Sequence, residues 1–369
     1  MSSAINSYSS LLKAANSDKE RCRSLSRKID RVAESSELKN AHSFDVVEFA
    51  GSGTFGRVYK VEREGITYAA KVLALAATDE GVPLATIREL GLLASLDHEH
   101  VVKSFDIELR QLPFFVLLEF VPSTLHQVVV DRTRISEDSL MRTMTLQILR
   151  GMSYLRSRAI VHKDLKPANI LVHDNGRLVI ADFGVSKALV RRTCSEVEGY
   201  PGTYTYAPPD VLMGAVVSYA YDAWSLGCIL VFMALGESCV EDCVDGDTEF
   251  KIDRIVKSIH AQLGAPPSSS SLCGLTRYKN IDRSDWLQLP SEAALPQRLQ
   301  GMASEHMTML IMALLHYEPD QRLDADHAIQ HDAFAFVRAL RLNALLAYSG
   351  PFVARDASTT RRTSKLRKS

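Results

Sequence analysis

Residues 161–184 read VHKDLKPANILVHDNGRLVIADFG. Two short apolar runs, Ile170–Val172 and residues 178–181, flank Asp174-Asn175-Gly176, whose residue types favour a tight turn. The pattern predicts a β-hairpin. Asp164, Lys166 and Asn169 precede its first strand, and Asp182 follows its second. Folding the chain back at the turn brings Asp182 toward Asn169. Two carboxylates, an amide and an ammonium are therefore expected to share one place.

Outward from the hairpin, the chain changes character. Upstream, SFDVVEFAGSG, GRVYKVERE and TYAAKVLAL read as strands, and the apolar run FFVLLEFV reads as a buried strand. Between them PLATIRELGLLASL has helical spacing, with Pro83 near its start. From about residue 136 the pattern turns helical, and SLGCILVFMALG suits a buried helix while being too short to span a bilayer. Mostly β followed by mostly α predicts an α+β chain of two lobes with a cleft between them. The expected organisation is a polar extension over 1–42, a small β lobe with one helix over 43–121, a larger helical lobe over 122–340, and a basic tail over 341–369.

The turn GSGTFGRV contains Gly51, Gly53 and Gly56 in G-x-G-x-x-G spacing. Such spacing also fits a plain hairpin turn. A strand follows it rather than a helix, which argues against dinucleotide binding and for a flap over nucleotide phosphates. Val58 would then pack on a purine. Lys71 ends the strand TYAAK in apolar surroundings. A half-buried ammonium needs an anion, and at an effective dielectric of 20 a contact pair interacts by about 4 kcal/mol. Glu89 on the following helix and nucleotide phosphates are both candidates; an exposed lysine is the bland alternative.

Phosphoryl transfer asks a protein for positioning, for metal neutralisation of developing charge, and for a carboxylate near the attacking hydroxyl. Asp164 can orient that hydroxyl and accept its proton, Lys166 can hold the transferred group, and Asn169 with Asp182 can offer oxygens to a divalent ion. Singly, each has a bland reading, Asn169 as a turn residue and Asp182 as a loop cap. Jointly, H-K-D-L-K-x-x-N followed by D-F-G is a specific pattern.

Over residues 44–338 the chain resembles the eukaryotic protein kinases. Gly51, Gly53, Gly56, Val58, Lys71, Glu89, Asp164, Asn169 and Asp182-Phe183-Gly184 stand in the order of that family's signature. DLKPAN, with Lys166, is similar to the serine/threonine group. Pro83-Leu84-Ala85-Thr86-Ile87-Arg88-Glu89 resembles the P-S-T-A-I-R-E helix of cyclin-dependent kinases, and YDAWSLGCIL, DGDTEF, QLGAP and LLHYEPDQRLDADHAIQHDAF resemble their helical lobe. The resemblance implies a bilobal fold, ATP and Mg²⁺, transfer of the γ-phosphoryl group to Ser or Thr of protein substrates, and a cyclin-like partner on the helix over 83–96. It also implies nucleotide contacts from Ser52, Thr54, Phe55, Ala69, Glu119 and Val121, and a place for Thr203 beside the catalytic carboxylate.

Several positions depart from the family pattern. Lys163 stands where the family has arginine, a weaker clamp for a phosphorylated loop. Glu198 falls at the phosphothreonine position, so Arg88, Lys163 and Lys187 are expected to gather around it; a solvated loop glutamate is the alternative. Phe55 replaces an inhibitory tyrosine, Ala207 an arginine, and Thr124 an acid that often meets the ribose. Ala-Pro-Glu becomes Pro208-Pro209-Asp210, with Asp210 expected to pair with Arg322. Lys163, Asp210 and Ala207 keep a second reading open, a pseudokinase scaffold; against a third, a mitogen-activated type that needs no cyclin, stands the helix over 83–89.

Composition excludes little but points one way. A formal net charge of -1 gives no general attraction to nucleic acid or membrane. Six scattered cysteines without a zinc spacing fit reduced thiols, in cytoplasm or nucleus. The start MSSAINSYSS lacks an apolar signal core. The tail RDASTTRRTSKLRKS is read either as a solvated segment or as a polyanion patch.

Overall fold

Alternation of apolar and polar residues from position 45 onward is realised as a five-stranded antiparallel sheet. Its strands are β1 (Asp45–Gly53), β2 (Gly56–Arg63), β3 (Ile66–Leu73), β4 (Ser104–Glu108) and β5 (Phe115–Glu119), in the order β1-β2-β3-β5-β4. The computed structural model describes residues 44–53, 56–73, 84–108, 114–189, 203–240, 248–266, 270 and 292–335. The extension over 1–42 and the tail over 341–369 lie outside these residues. One helix, α1 (Leu84–Leu93), accompanies the sheet. It is shorter than the expected span of 83–96, because the chain leaves it in a turn where the Ser95 and Leu96 amides donate to Leu92 and Leu93. Leu90 and Leu93 join Leu73 and Val116 in the main core, which fixes α1 against the sheet.

The helical lobe begins with β6 (Ser123–Thr124) and α2 (Leu125–Arg132). Thr124 caps α2 reciprocally with Gln127, each side chain accepting from the other's backbone amide. Then follow α3 (Asp138–Ser157), β7 (Ile160–Val161), β8 (Ile170–Val172), β9 (Leu178–Ile180) and β10 (Lys187–Ala188). Beyond them lie α4 (Pro209–Leu212), α5 (Ala220–Leu235), α6 (Thr248–Leu263), α7 (Leu295–Leu299), α8 (Glu305–Leu314) and α9 (Ala325–Ala328). The chain thus forms an antiparallel β lobe and a helical lobe, an α+β bilobal fold.

Two features of this lobe position the cleft. The predicted hairpin forms, with β8 and β9 paired from Ile170↔Ile180 to Val172↔Leu178. In its turn the Gly176 amide donates to His173 O, and Arg177 N donates to Asn175 Oδ1. Beneath the hairpin runs α3, whose Gly151 permits the approach. A Cβ there would lie 2.8 Å from both His100 O and Ile180 Cδ1. The apolar run ending the sequence of α5 is buried almost throughout, as its composition predicts.

A buried ion pair ties α4 to the far end of the lobe. Arg322 donates through Nη2 to Asp210 Oδ1 at 2.8 Å and to Tyr317 O at 3.0 Å, through Nη1 to Ala220 O at 3.0 Å, and through Nε to His316 O at 2.9 Å. Its guanidinium lies over the Trp224 ring, 5.1 Å from the centroid. The pair anticipated from sequence is therefore made despite the shorter acid. Burial pushes the Asp210 carboxyl up, and Arg322 pulls it back. Removing one member leaves the other charged and buried. Asp210→Ala should lower stability by about 3–5 kcal/mol, read as a fall in the urea midpoint, whereas Asp210→Glu should retain most of it.

Candidate active site

The cleft between the lobes encloses about 820 Å³, within the range of small-molecule sites. Its walls follow from strand register. Val58 lies opposite Lys71 and Lys60 opposite Ala69, so Val58, Ala69 and Lys71 share the sheet face that lines the cleft. Gly51 and Gly56 line its edge. Gly56 has φ +141, a conformation that glycine adopts without strain, and it closes the β1–β2 ladder opposite Gly53. Thr54 and Phe55 lie outside the described residues, and of Ser52 only the backbone is described, paired with Arg57. Glu119, Phe120 and Val121 form the back, where β5 passes into the helical lobe.

At the inner end, Lys71 Nζ contacts Glu89 Oε1 at 2.5 Å and Asp182 Oδ1 at 2.9 Å. One ammonium thus joins β3, α1 and the segment after β9. Burial disfavours the Lys71 charge, but Asp182 and Glu89 outweigh it and raise its pKa. Burial also raises the Glu89 carboxyl, against the pull of Lys71. For Asp182 the burial effect is overcome by Lys71, and its pKa falls. The Lys71 ammonium therefore favours the ionised form of Asp182.

At the outer end, Asp164 Oδ2 accepts from Asn169 Nδ2 at 3.0 Å and lies 2.8 Å from Lys166 Nζ. Asp164 Oδ1 accepts from both the amide and the hydroxyl of Thr203, at 3.0 and 2.9 Å. Lys166 Nζ also lies 2.8 Å from Thr203 Oγ1. The Ala181 amide donates to Asn169 O at 2.9 Å, so the hairpin holds its two ends together. Lys71, Asp164, Lys166, Asn169, Asp182 and Thr203 all line the one cleft.

The catalytic segment is bent sharply. Lys163 and Asp182 have φ +71 and +67, a left-handed conformation costing about 1–2 kcal/mol for a residue with a Cβ. Buried Asp222 of α5 holds the first bend, its Oδ2 accepting from His162 N at 2.7 Å and its Oδ1 from Lys163 N at 2.9 Å. His162 holds the second. Its Nε2 lies 3.0 Å from Ala181 O, and its Nδ1 accepts from Asp164 N at 3.3 Å, so the ring donates at one nitrogen and accepts at the other. The ring packs edge-on against buried Phe183, centroids 5.0 Å apart. These supports, Asp222 above all, were not assigned roles from sequence. The available signal was an acid in the first turn of an otherwise apolar helix. Leu171 and Val102, which line the cleft, also escaped notice, since either reads simply as a core residue.

Glu119 corrects an expectation in part. It lines the cleft, but its carboxylate is committed elsewhere. Oε1 accepts from Lys103 N at 2.9 Å, and Oε2 meets Arg177 Nη2 at 2.5 Å and His173 Nε2 at 3.1 Å. These bonds overcome burial and hold its pKa at about 2. Its side chain joins the lobes; any contact with a nucleotide falls to its backbone. Thr124 likewise commits its hydroxyl to capping α2. Glu198 lies outside the described residues, as does the Arg88 side chain, and with them the expected gathering of Arg88, Lys163 and Lys187.

The donors suit a hard divalent cation. Both Asn169 Nδ2 bonds go to Asp164, to its carbonyl at 2.8 Å and its carboxylate, which orients the amide and leaves Oδ1 as the ligand atom. Asp182 supplies a carboxylate kept ionised. Among the described residues no group of three or more His, Cys, Asp or Glu could hold a metal. An amide and one carboxylate match Mg²⁺, which takes its remaining ligands from water and phosphate. Such an ion, when bound, neutralises charge on transferring phosphate oxygens.

A protein kinase domain model matches residues 44–334, well over half the chain.

Thr203 stands between two charged groups, and hydrogen bonds to such groups contribute about 1.5–3 kcal/mol. Thr203→Val should therefore lower kcat for peptide phosphorylation roughly 10- to 100-fold with the KM for ATP little changed, and Thr203→Ser should restore it. For Glu119, a folded pKa below the unfolded value adds stability that is complete above the ordinary carboxylate pKa and lost as pH falls toward 2. Glu119→Gln should cost about 2–3 kcal/mol at pH 7, and the gap in urea midpoint between the two proteins should narrow steadily from pH 5 to pH 3.

Proposed function

The chain belongs to the protein kinase family and transfers phosphoryl groups to proteins, and we propose that it is a serine/threonine kinase of the cyclin-dependent group, using ATP with Mg²⁺. The observation that carries this reading is the Asp164–Lys166–Thr203 cluster, held within 3.0 Å by four polar contacts. An acceptor hydroxyl replacing the Thr203 hydroxyl at Asp164 Oδ1 would meet a proton acceptor on one side and an ammonium on the other. Asp164 then takes the hydroxyl proton, Lys166 steadies the transferred oxygens, and Lys71 steadies the phosphates nearer the nucleoside. Lys166 in DLKPAN is the residue type of the serine/threonine group.

Cyclin dependence rests on sequence, on Pro83-Leu84-Ala85-Thr86-Ile87-Arg88-Glu89. Its physical logic is that Glu89 reaches Lys71 only when α1 sits against the sheet. A partner contacting α1 in that position alone would raise its population by its differential affinity. The same departures that motivate a pseudokinase reading are weighed by geometry. Asp210 still reaches Arg322, and the groups for proton, phosphate and metal all face the cleft.

The test uses the full chain purified from its native cell, with labelled ATP, Mg²⁺ and peptides offering Ser, Thr or Tyr. Phosphate should appear on Ser or Thr and vanish in Asp182→Asn, and a cyclin-fold protein should co-purify. Label on Tyr alone overturns the residue specificity. Full activity in a chain that carries no partner overturns cyclin dependence, and no label under any condition returns the scaffold reading.

A further inference from the structure

At the rim of the cleft one side-chain amide is held in a fixed sense. Gln127, in the first turn of α2, lines the cleft with Ser123 and Thr124. Its Oε1 accepts from the Thr124 backbone amide at 2.8 Å and from the Thr124 hydroxyl at 3.1 Å. The Gln127 backbone amide donates to that same hydroxyl oxygen at 3.2 Å. Both lone pairs of Oε1 are thereby used, and the Thr124 hydroxyl is spent as donor and as acceptor. These bonds also settle which end of the Gln127 amide is oxygen, since only oxygen accepts. Nε2 keeps its N–H donors and meets no partner among the described residues. The turn Pro167–Asn169 packs against α2, and its Ala168 lines the cleft without a polar side-chain atom. The Ser123 hydroxyl can rotate into either role, whereas the free end of Gln127 can only donate.

We infer that Gln127 reads the sugar of the bound nucleotide, donating from Nε2 to a ribose hydroxyl oxygen. This role presupposes the ATP-using kinase proposed for this cleft. With a purine against Val58, Ala69 and Leu171, and phosphates beside Lys71 and Asp182, the sugar that joins them lies toward the opening. There the chain leaving Val121 passes Ser123, Thr124 and Gln127. A ribose hydroxyl both donates and accepts, so it satisfies a pure donor as readily as a pure acceptor; what differs is strength. A neutral amide at an exposed rim discriminates weakly, about 2- to 10-fold. A carboxylate would accept from the hydroxyl in a charge-assisted bond about twice as strong. The chain therefore tolerates a nucleotide that lacks one ribose hydroxyl better than a carboxylate at this rim would allow.

Gln127→Glu tests this directly. Glutamine and glutamate serve the capping bond equally, so the substitution keeps the acceptor for Thr124 and turns the free atom from donor to charged acceptor. Kd with Mg²⁺, and KM in peptide phosphorylation, are measured on the full chain for ATP, 2′-deoxy-ATP and 3′-deoxy-ATP. Wild-type protein should favour ATP over one of the two analogues by about 2- to 10-fold. Gln127→Ala should bring that ratio within about twofold. Gln127→Glu should widen it to roughly 10-fold or more, with Tm unchanged. Taking a ratio cancels any general repulsion between the new charge and the phosphates. Equal binding of all three nucleotides by the wild-type chain, or a ratio untouched in both variants, overturns the role of Gln127 and leaves ATP-dependent phosphorylation standing. A peptide KM that rises in Gln127→Ala at constant nucleotide ratio also overturns it, because the amide then meets the acceptor chain. Failure of the wild-type chain to bind ATP with Mg²⁺ removes the nucleotide reading and this role together.

Discussion

One ammonium group organises the cleft. Lys71 Nζ bridges Glu89 of α1 and Asp182 of the catalytic hairpin, and so joins helix, sheet and the second lobe at a single buried point. The cluster is not electrically balanced. Glu89, Asp182 and Asp164 face Lys71 and Lys166, which leaves one negative charge in surplus within a half-buried site. A divalent cation held by Asn169 and Asp182 would relieve that surplus. Any displacement of α1 removes Glu89 from this arrangement and leaves Lys71 to Asp182 alone, so the helix position governs the charge pattern directly.

Behind these groups stands a rigid platform. The active segment contains two left-handed non-glycine residues, and neither conformation would persist without support. Asp222 restrains the first from inside α5, and His162 couples the second to the Asp164 backbone. The larger lobe thus spends part of its buried polar bonding on backbone shape rather than on contact with a ligand. The Arg322–Asp210 pair extends the same logic, where a guanidinium bonded to three carbonyls and one carboxylate anchors α4.

The smaller lobe is built differently. Its sheet separates a cleft-facing surface, carrying Val58, Ala69 and Lys71, from an apolar outer one, and strand alternation generates both. The cleft face connects to the main core through α1, while the outer face closes over its own small cluster beneath Phe49 and Phe105. Glu119 joins this lobe to the hairpin by way of Arg177, so this link between the lobes is polar and lies at the back of the cleft.

Much of this was legible in the chain. Alternation gave the strands, 3.6-residue spacing the helices, and Asp174-Asn175-Gly176 the turn that gathers Asn169 and Asp182, because each of these signals is carried by neighbours in sequence. The span of α1 was overread, since apolar spacing continues past the turn at Ser95. What sequence left open were roles that depend on distant partners and that no family pattern supplied. Asp222 meets His162 across 60 positions and Lys71 meets Asp182 across 111, whereas Arg322 and Asp210, 112 positions apart, were paired in advance only through the family resemblance. The carboxylate of Glu119 turns from the cleft to Arg177 for the same reason. Local propensity determines which residues form a strand, a turn or a helix face; only packing decides which buried charge finds which partner, because that choice is made by distance in space and by the cost of leaving a charge unpaired away from water.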